Sequence, residues 1–258
     1  MAEQSLEGKV AIVTGGATGI GRSIAESMAR AGACVVIDYV GSSEKAGEAV
    51  ETIRRDGGKA LAFEADVTNP EQVNALVFQT VSRFGQLDVL VSNAGMEQKH
   101  PFLETPLDTW QKVIDVNLTG PWICSQAAAR QMVAQGHGGR IIFITSVHED
   151  LAMPTNAPYC AAKGGQRMLM RTLAVELAPY KITANDVAPG AIDTPMDKTV
   201  EQDPEEKEAL LDEIPLRRMG KPEEVAGLCV YLASEAAAYI TGSTFIIDGG
   251  MIRQSGSL

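Results

Sequence analysis

Val10-Ala11-Ile12-Val13-Thr14-Gly15-Gly16-Ala17-Thr18-Gly19-Ile20-Gly21 is the stretch on which the fold turns. Val10–Thr14 is an apolar, β-rich run of the kind buried on both faces in a parallel sheet. Four glycines then crowd a short turn, and an amphipathic stretch over Gly21–Ala31 reads as a helix. Glycines in such a turn let the backbone approach a pyrophosphate closely. The helix start adds N–H donors and the positive end of a dipole. The spacing is Gly-x3-Gly-x-Gly rather than the commoner Gly-x-Gly-x2-Gly. A glycine cluster alone is weak evidence, but this one has the strand, turn and helix that dinucleotide binding requires.

Working outward, the same alternation repeats along the chain. Val35–Tyr39, Ala60–Ala65, Leu87–Ser92, Ile141–Thr145, Ile182–Val187 and Thr244–Asp248 read as strands. Ser43–Asp56, Pro70–Phe84, Leu107–Ala134, Tyr159–Ala178 and Pro222–Ser234 read as helices. Thr68-Asn69-Pro70-Glu71 and Lys221-Pro222-Glu223-Glu224 carry proline near the first helical position and acid in the first turn, as helix starts do. The pattern predicts one α/β domain over residues 1–258, a doubly wound parallel sheet of about seven strands flanked by helices. The proline- and acid-rich segment Pro189–Arg218 breaks the alternation and is expected to cover the substrate as a lid. A merely ordered surface insertion is its alternative.

With 258 residues, 45% of them hydrophobic, the chain suits one large domain. Its formal charge of −11 opposes nucleic acid or an anionic membrane as partner. Cys34, Cys124, Cys160 and Cys229 are scattered and form no CxxC, so reduced thiols are expected, with no disulfide framework and no metal site. No apolar run approaches membrane-spanning length, and Met1–Lys9 lacks an apolar signal region, so a cytoplasmic protein is expected.

Tyr159 and Lys163 stand one helical turn apart and project from one face. A phenol titrates near 10 when unperturbed, too high for a base at neutral pH. An ammonium beside it favours the phenolate, and the pair can then exchange a proton with a substrate hydroxyl. Ser146 lies upstream. A strand-end cap is the plain alternative for it.

Thr14–Gly21, Ser92-Asn93-Ala94-Gly95, Asn117, Ser146, Tyr159-x3-Lys163 and Pro189-Gly190, in this order and spacing, resemble the short-chain dehydrogenases/reductases over nearly the whole chain. Ser92 is a departure, since the family more often has Asn there. The resemblance implies a Rossmann-type domain, NAD(H) or NADP(H), hydride transfer and a homotetramer. It also implies catalytic roles. Tyr159 is general base in oxidation and acid in reduction. Lys163 lowers its pKa and bonds the nicotinamide ribose. Ser146 donates to the reacting oxygen. Asn117 holds a water that links Lys163 to solvent. It further implies cofactor binding by Gly15, Thr18, Gly19, Ile20, Gly21, Asp38, Tyr39, Asp66, Val67, Asn93, Ala94, Gly95, Tyr159, Lys163, Pro189, Gly190, Ile192 and Thr194.

A carboxylate at the end of the second strand can bond ribose hydroxyls and repel a 2′-phosphate. Asp38 has that chemistry, one place before Tyr39, where many NAD-dependent relatives carry their Asp. Thr18 and Val40 stand where NADP-preferring relatives usually have a basic residue. NAD is therefore the expected cofactor. NADP stays open through Ser42 and Ser43.

Three fragments, Asn93–Glu97, Ser146–Glu149 and Gly190–Pro195, are similar to the bacterial glucose 1-dehydrogenase branch. Glu97, Ser146, His148, Tyr159 and Asp193 become the candidate substrate residues. Polar groups at 97, 148 and 193 suit a polyhydroxylated ligand, whose hydroxyls must be paired when they leave water. Asp193 replaces an Asn typical of that branch. The expectation is an aldose 1-dehydrogenase. A ketone or 3-oxoacyl thioester reductase is the rival, and a non-catalytic dinucleotide sensor the alternative of another class. The helices at Leu107–Ala134 and Tyr159–Ala178 and the edge at Thr244–Met251 are the expected contacts between copies.

Overall fold

The computed structural model describes residues 5–194 and 204–253. Seven strands form one sheet, in the order β3-β2-β1-β4-β5-β6-β7, every neighbouring pair parallel. They are β1 (Val10–Val13), β2 (Cys34–Tyr39), β3 (Lys59–Glu64), β4 (Val89–Ser92), β5 (Gly139–Ile144), β6 (Ile182–Pro189) and β7 (Thr244–Ile247). The helices are α1 (Gly19–Arg30), α2 (Ser43–Arg55), α3 (Pro70–Phe84), α4 (Leu107–Ile114), α5 (Gly120–Gln135), α6 (Ala157–Glu176), α7 (Pro204–Asp212) and α8 (Pro222–Ala233). The alternation read from the sequence is thus the alternation of the fold.

The sheet is buried on both faces because helices cover both. Ile24 and Met28 of α1, Val50 of α2 and Val225 and Leu232 of α8 pack on one face with Val13, Val35 and Ile37. Leu76 of α3, Met132 of α5 and Met170 of α6 pack on the other with Ile12, Leu90 and Phe143. The β1 residues are buried without exception, which is why the strand reads as continuously apolar. Strand order reverses between β1 and β4, and the crevice at their carboxyl ends is where open parallel sheets bind ligands.

The helix starts obey their signals. The Asn69 side chain accepts from the Glu71 and Gln72 N–H groups at 3.0 and 3.2 Å, with Pro70 in the first turn. The Glu224 carboxylate accepts from the Lys221 N–H at 2.8 Å. One expectation is corrected. The stretch Leu107–Ala134 is not one regular helix, because a π turn over Asp115–Thr119 divides it into α4 and α5. Its apolar pattern conceals the extra residue, since both parts remain helical. The irregular segment Pro189–Arg218 contains α7, and its residues 195–203 lie outside the described residues. Among the described residues, no helix is long and apolar enough to cross a membrane.

Candidate active site

At the carboxyl end of β1 the chain makes its glycine turn. Gly15 and Gly19 take φ of +61° and +54°, which L side chains seldom adopt. A Cβ on Gly21 would stand 2.4 Å from Asn93 Nδ2 and from the Gly15 carbonyl. Thr14 ties this turn to the loop after β4. Its hydroxyl accepts from the Asn93 and Ala94 N–H groups at 2.9 and 3.0 Å, while Asn93 Nδ2 donates to the Thr14 carbonyl at 2.9 Å. Thr18 stands at the N-cap of α1 without a side-chain cap, and the first turn carries no acid. The first-turn amides and the positive dipole end are therefore not countered by an acid within that turn, and the turn fits a pyrophosphate.

Asp38 is not presented at the end of β2. It is buried, with one oxygen accepting from the Gly15 N–H at 3.4 Å and the other unpartnered. Burial pushes its carboxyl up to about 7, against the pull of backbone N–H groups. Its place is under the glycine turn, as a support, and it does not offer a carboxylate toward a ribose. The reason is the strand's alternation, which turns residue 38 inward and leaves Tyr39 half-buried and Val40 exposed. Asp66, after β3, is exposed and accepts from the Thr68 hydroxyl at 2.7 Å. Val67 is buried against Gly120. Past β6, the Gly190 N–H donates to the Ile247 carbonyl at 2.8 Å, Ile192 is buried, and Thr194 is half-buried.

The second half of the crevice is built from side chains. Lys163 of α6 is buried. Its ammonium donates to the Ile144 carbonyl at 2.9 Å, at the end of β5, and to Gln166 Oε1 at 3.4 Å. It also lies 5.5 Å from the centre of the Tyr159 ring. Burial lowers the Lys163 pKa to about 8, opposed by the negative charge of Glu149. Ser146 is buried and its hydroxyl accepts from the His148 N–H at 3.2 Å, so the Ser146 proton is left to donate elsewhere. The cap role and the donor role are therefore compatible. The His148 and Tyr159 rings meet edge to face at 6.4 Å.

Asn117 stands at the middle of the π turn. Its side chain bonds both the N–H and the carbonyl of Met96, at 3.1 and 2.8 Å, and clamps the loop carrying Gly95 and Glu97. Its carbonyl accepts from Gln166 Nε2. His148 Nδ1 lies 3.1 Å from the Leu151 carbonyl. A carbonyl only accepts, so Nδ1 carries the proton, and Nε2 is the acceptor in the tautomer this bond selects. Glu97 accepts from Asn156 Nδ2 at 3.2 Å, with Lys99 at 3.6 Å from the same oxygen. Asp193 is exposed and its N–H donates to the Gly220 carbonyl at 2.9 Å. Among the described residues no bond brings its side chain to Glu97 or His148.

Four contributors escaped the sequence reading. Asn156 is buried and orients Glu97; Gln166 is buried and joins Lys163 to Asn117. The Glu149 carboxylate is enclosed behind Lys163, 3.5 Å from Arg167, and burial raises its pKa. Asp186 on β6 is buried with neither oxygen bonded, and burial with the nearby Glu149 charge pushes it up to about 7. Thr244 offers a hydroxyl from the opposite register position on β7 without closing a hydrogen bond. Only Gln166, polar among the inward positions of α6, left a readable signal.

Residues 15–252 match the family described as Enoyl-(Acyl carrier protein) reductase. The chain is 44% identical to a 3-oxoacyl-[acyl-carrier-protein] reductase of Synechocystis sp., over 96% of this chain and 98% of that one. It is 40% identical to glucose 1-dehydrogenase 2 of Bacillus subtilis, over 96% of each. A crystal structure of a short-chain type dehydrogenase/reductase from Mycobacterium marinum superposes with a TM-score of 0.91 at 40% identity, covering 95% of this chain and 96% of that one.

Proposed function

Because the chain belongs to the short-chain dehydrogenase/reductase family, and is an NAD(P)-dependent oxidoreductase acting on a small molecule, we propose that it oxidises the C1 hydroxyl of a glucose-like aldose to a lactone. The observation that carries the aldose reading is the polar wall beside Tyr159. His148, with its Nδ1 proton held by the Leu151 carbonyl, has Nε2 as the acceptor of that tautomer, and Asn156 holds Glu97 in place. Both can pair sugar hydroxyls that leave water.

In this reading Tyr159 takes the C1 hydroxyl proton and Ser146 donates to the same oxygen. Lys163 keeps the phenolate favoured. A bound oxidised nicotinamide would supply the acceptor for the C1 hydride. Gly15, Thr18, Gly19, Ile20 and Gly21 would hold its pyrophosphate. Tyr39, Asp66 and Val67 would hold the adenosine end, and Asn93, Ala94, Gly95, Pro189, Gly190, Ile192 and Thr194 would hold the nicotinamide end. Asn117 works through the loop and helix it clamps. NAD is the proposed preferred form, with NADP open as the alternative. Val40 and Gly41 rather than a cation follow β2, and Arg22 is engaged by Glu26 at 2.8 Å and Glu48 at 3.6 Å. Pro189–Arg218, of which residues 195–203 lie outside the described residues, is the proposed substrate lid.

The protein works as a cytoplasmic homotetramer. Apolar Met168 and Val175 are 59% and 76% exposed on α6, with Trp122 47% exposed on α5, and these surfaces support pairing between copies. A monomeric mass by light scattering would remove that part. The second reading, a 3-oxoacyl thioester reductase, is favoured by the 44% identical relative. The formal charge of −11 opposes docking of an acidic carrier.

Initial rates of NADH and NADPH formation, measured against aldoses, polyols and secondary alcohols at alkaline pH, test both readings. Turnover of glucose or a near aldose is the expected result. His148→Ala should then raise the aldose KM about tenfold, the worth of one well-made hydrogen bond. Activity only on 3-oxoacyl thioesters in the reductive direction would replace the first reading with the second.

A further inference from the structure

We infer that Gln166 is a positioning residue for the Tyr159–Lys163 pair: its amide ties the Lys163 ammonium to the Asn117 carbonyl of the π turn and so fixes where that charge stands beside the phenol. The inference rests on the proposed role of Tyr159 as base.

Three observations carry it. Gln166 is 1% exposed. A glutamine removed from water is costly unless both ends of its amide are paired. Both ends are paired, and on opposite sides of the site: Oε1 accepts from Lys163 at 3.4 Å, while Nε2 donates to the Asn117 carbonyl. The ammonium has three donors. The Ile144 carbonyl takes one at 2.9 Å and Gln166 a second, which leaves the third for the side on which Tyr159 stands. A lysine on a flexible four-carbon stem would otherwise sample several positions. Here α6 supplies both the lysine and its guide, one turn apart, and the π turn anchors the guide from another helix.

An amide also differs from a hydroxyl or a water in this place. Its donor and acceptor are fixed in one plane, so it sets geometry without passing a proton along. Removing it should leave a buried ammonium short of an acceptor. The charged lysine would then be disfavoured, and the phenol would titrate higher. The charged groups facing Lys163 are Tyr159 on its own helix and Glu149 from the turn after β5. Behind Glu149 stand Asp150, Asp186, Arg167 and Arg171. All of these remain in a Gln166 variant.

The test needs no substrate. The titration of Tyr159 is isolated as the difference in near-ultraviolet phenolate absorbance between the full chain and its Tyr159→Phe variant, with NAD+ bound. The same difference is then taken in a Gln166→Met background, which keeps length and volume but pairs neither end. The expected result is an upward shift of the Tyr159 midpoint by about 0.5 pH unit or more, roughly threefold in the equilibrium. If the methionine variant does not fold, Gln166→Asn keeps the amide but is one methylene too short to span both partners, and the same shift is expected. An unchanged midpoint, with the wild-type phenol still titrating below its ordinary value of about 10, would overturn the role of Gln166 alone. A wild-type phenol that is not depressed would overturn the Tyr159–Lys163 reading, and this inference with it.

Discussion

The two halves of the crevice are made from different materials. On the β1 side, the glycine turn is held by close backbone approach, by the Thr14 hydroxyl and the Asn93 amide bonding across β1 and β4, and by one buried carboxylate, Asp38, beneath it. On the β5–β6 side, Ser146, Lys163, Gln166, Glu149 and Asp186 are buried side chains drawn from β6, α6 and the segment after β5, and several of their polar atoms lack partners. The first half is governed by steric fit and the second by electrostatics. A change on the one side should therefore act through shape and binding, and on the other through protonation.

The largest effect should come from the electrostatic half. Tyr159→Phe removes one hydroxyl and leaves the ring beside Lys163. Turnover should fall by about 10²–10⁴-fold, the usual worth of a positioned base, while the affinity for NADH, followed by fluorescence, changes little. Turnover near wild type would remove Tyr159 from the chemistry and break the contrast. On the steric side, Gly21→Ala places a methyl 2.4 Å from Asn93 Nδ2 and the Gly15 carbonyl. Overpacking of this kind costs about 1–3 kcal/mol, so calorimetry should find NAD+ and NADH weakened roughly tenfold to a hundredfold. The pH at half-maximal rate should stay in place. A displaced pH profile would show that the two halves are not separable in this way.

The smallest effect concerns stability. The folded pKa of Asp186 is raised to about 7 by burial and by Glu149. Between the ordinary carboxylate range and about 7 the folded chain holds this proton more tightly than the unfolded chain does. The contribution of Asp186 to stability is therefore fullest at acid pH and is lost as pH rises to about 7. Asp186→Asn should remove that slope. Its gain in unfolding free energy over the parent should grow from pH 5 to pH 8 by at least about 1 kcal/mol, since one pKa unit is worth about 1.4 kcal/mol. Denaturant unfolding at the two pH values measures the difference. An equal gain at both values would mean that Asp186 does not carry the slope.

The same contrast explains what the sequence disclosed. The strands, the glycine turn and the helix starts depend on residues adjacent in the chain, so period, proline and glycine positions reveal them. Tyr159 and Lys163 share one helix and are equally visible. Asp38 misled because a strand-end carboxylate looks the same from sequence whether it points outward or under the turn. Asn156 and Gln166 have no meaning until Glu97 and Asn117 are brought to them from other elements. Glu149 and Asp186 read as ordinary acids, and only folding encloses them. The π turn escaped because one added residue does not disturb an apolar helical pattern.

That added residue has a consequence for how the chain can change over generations. One residue rotates everything beyond it by about 100° around a helix axis. Here it lets α4 lean on α6 while α5 leans on α3, from what would otherwise be a single rod. A surface loop absorbs the gain or loss of a residue at little cost. Between Leu107 and Gln135 the same event would turn one helix away from its neighbour and pull Asn117 off Met96. The chain's length in this interval should therefore be inherited intact even where its composition drifts.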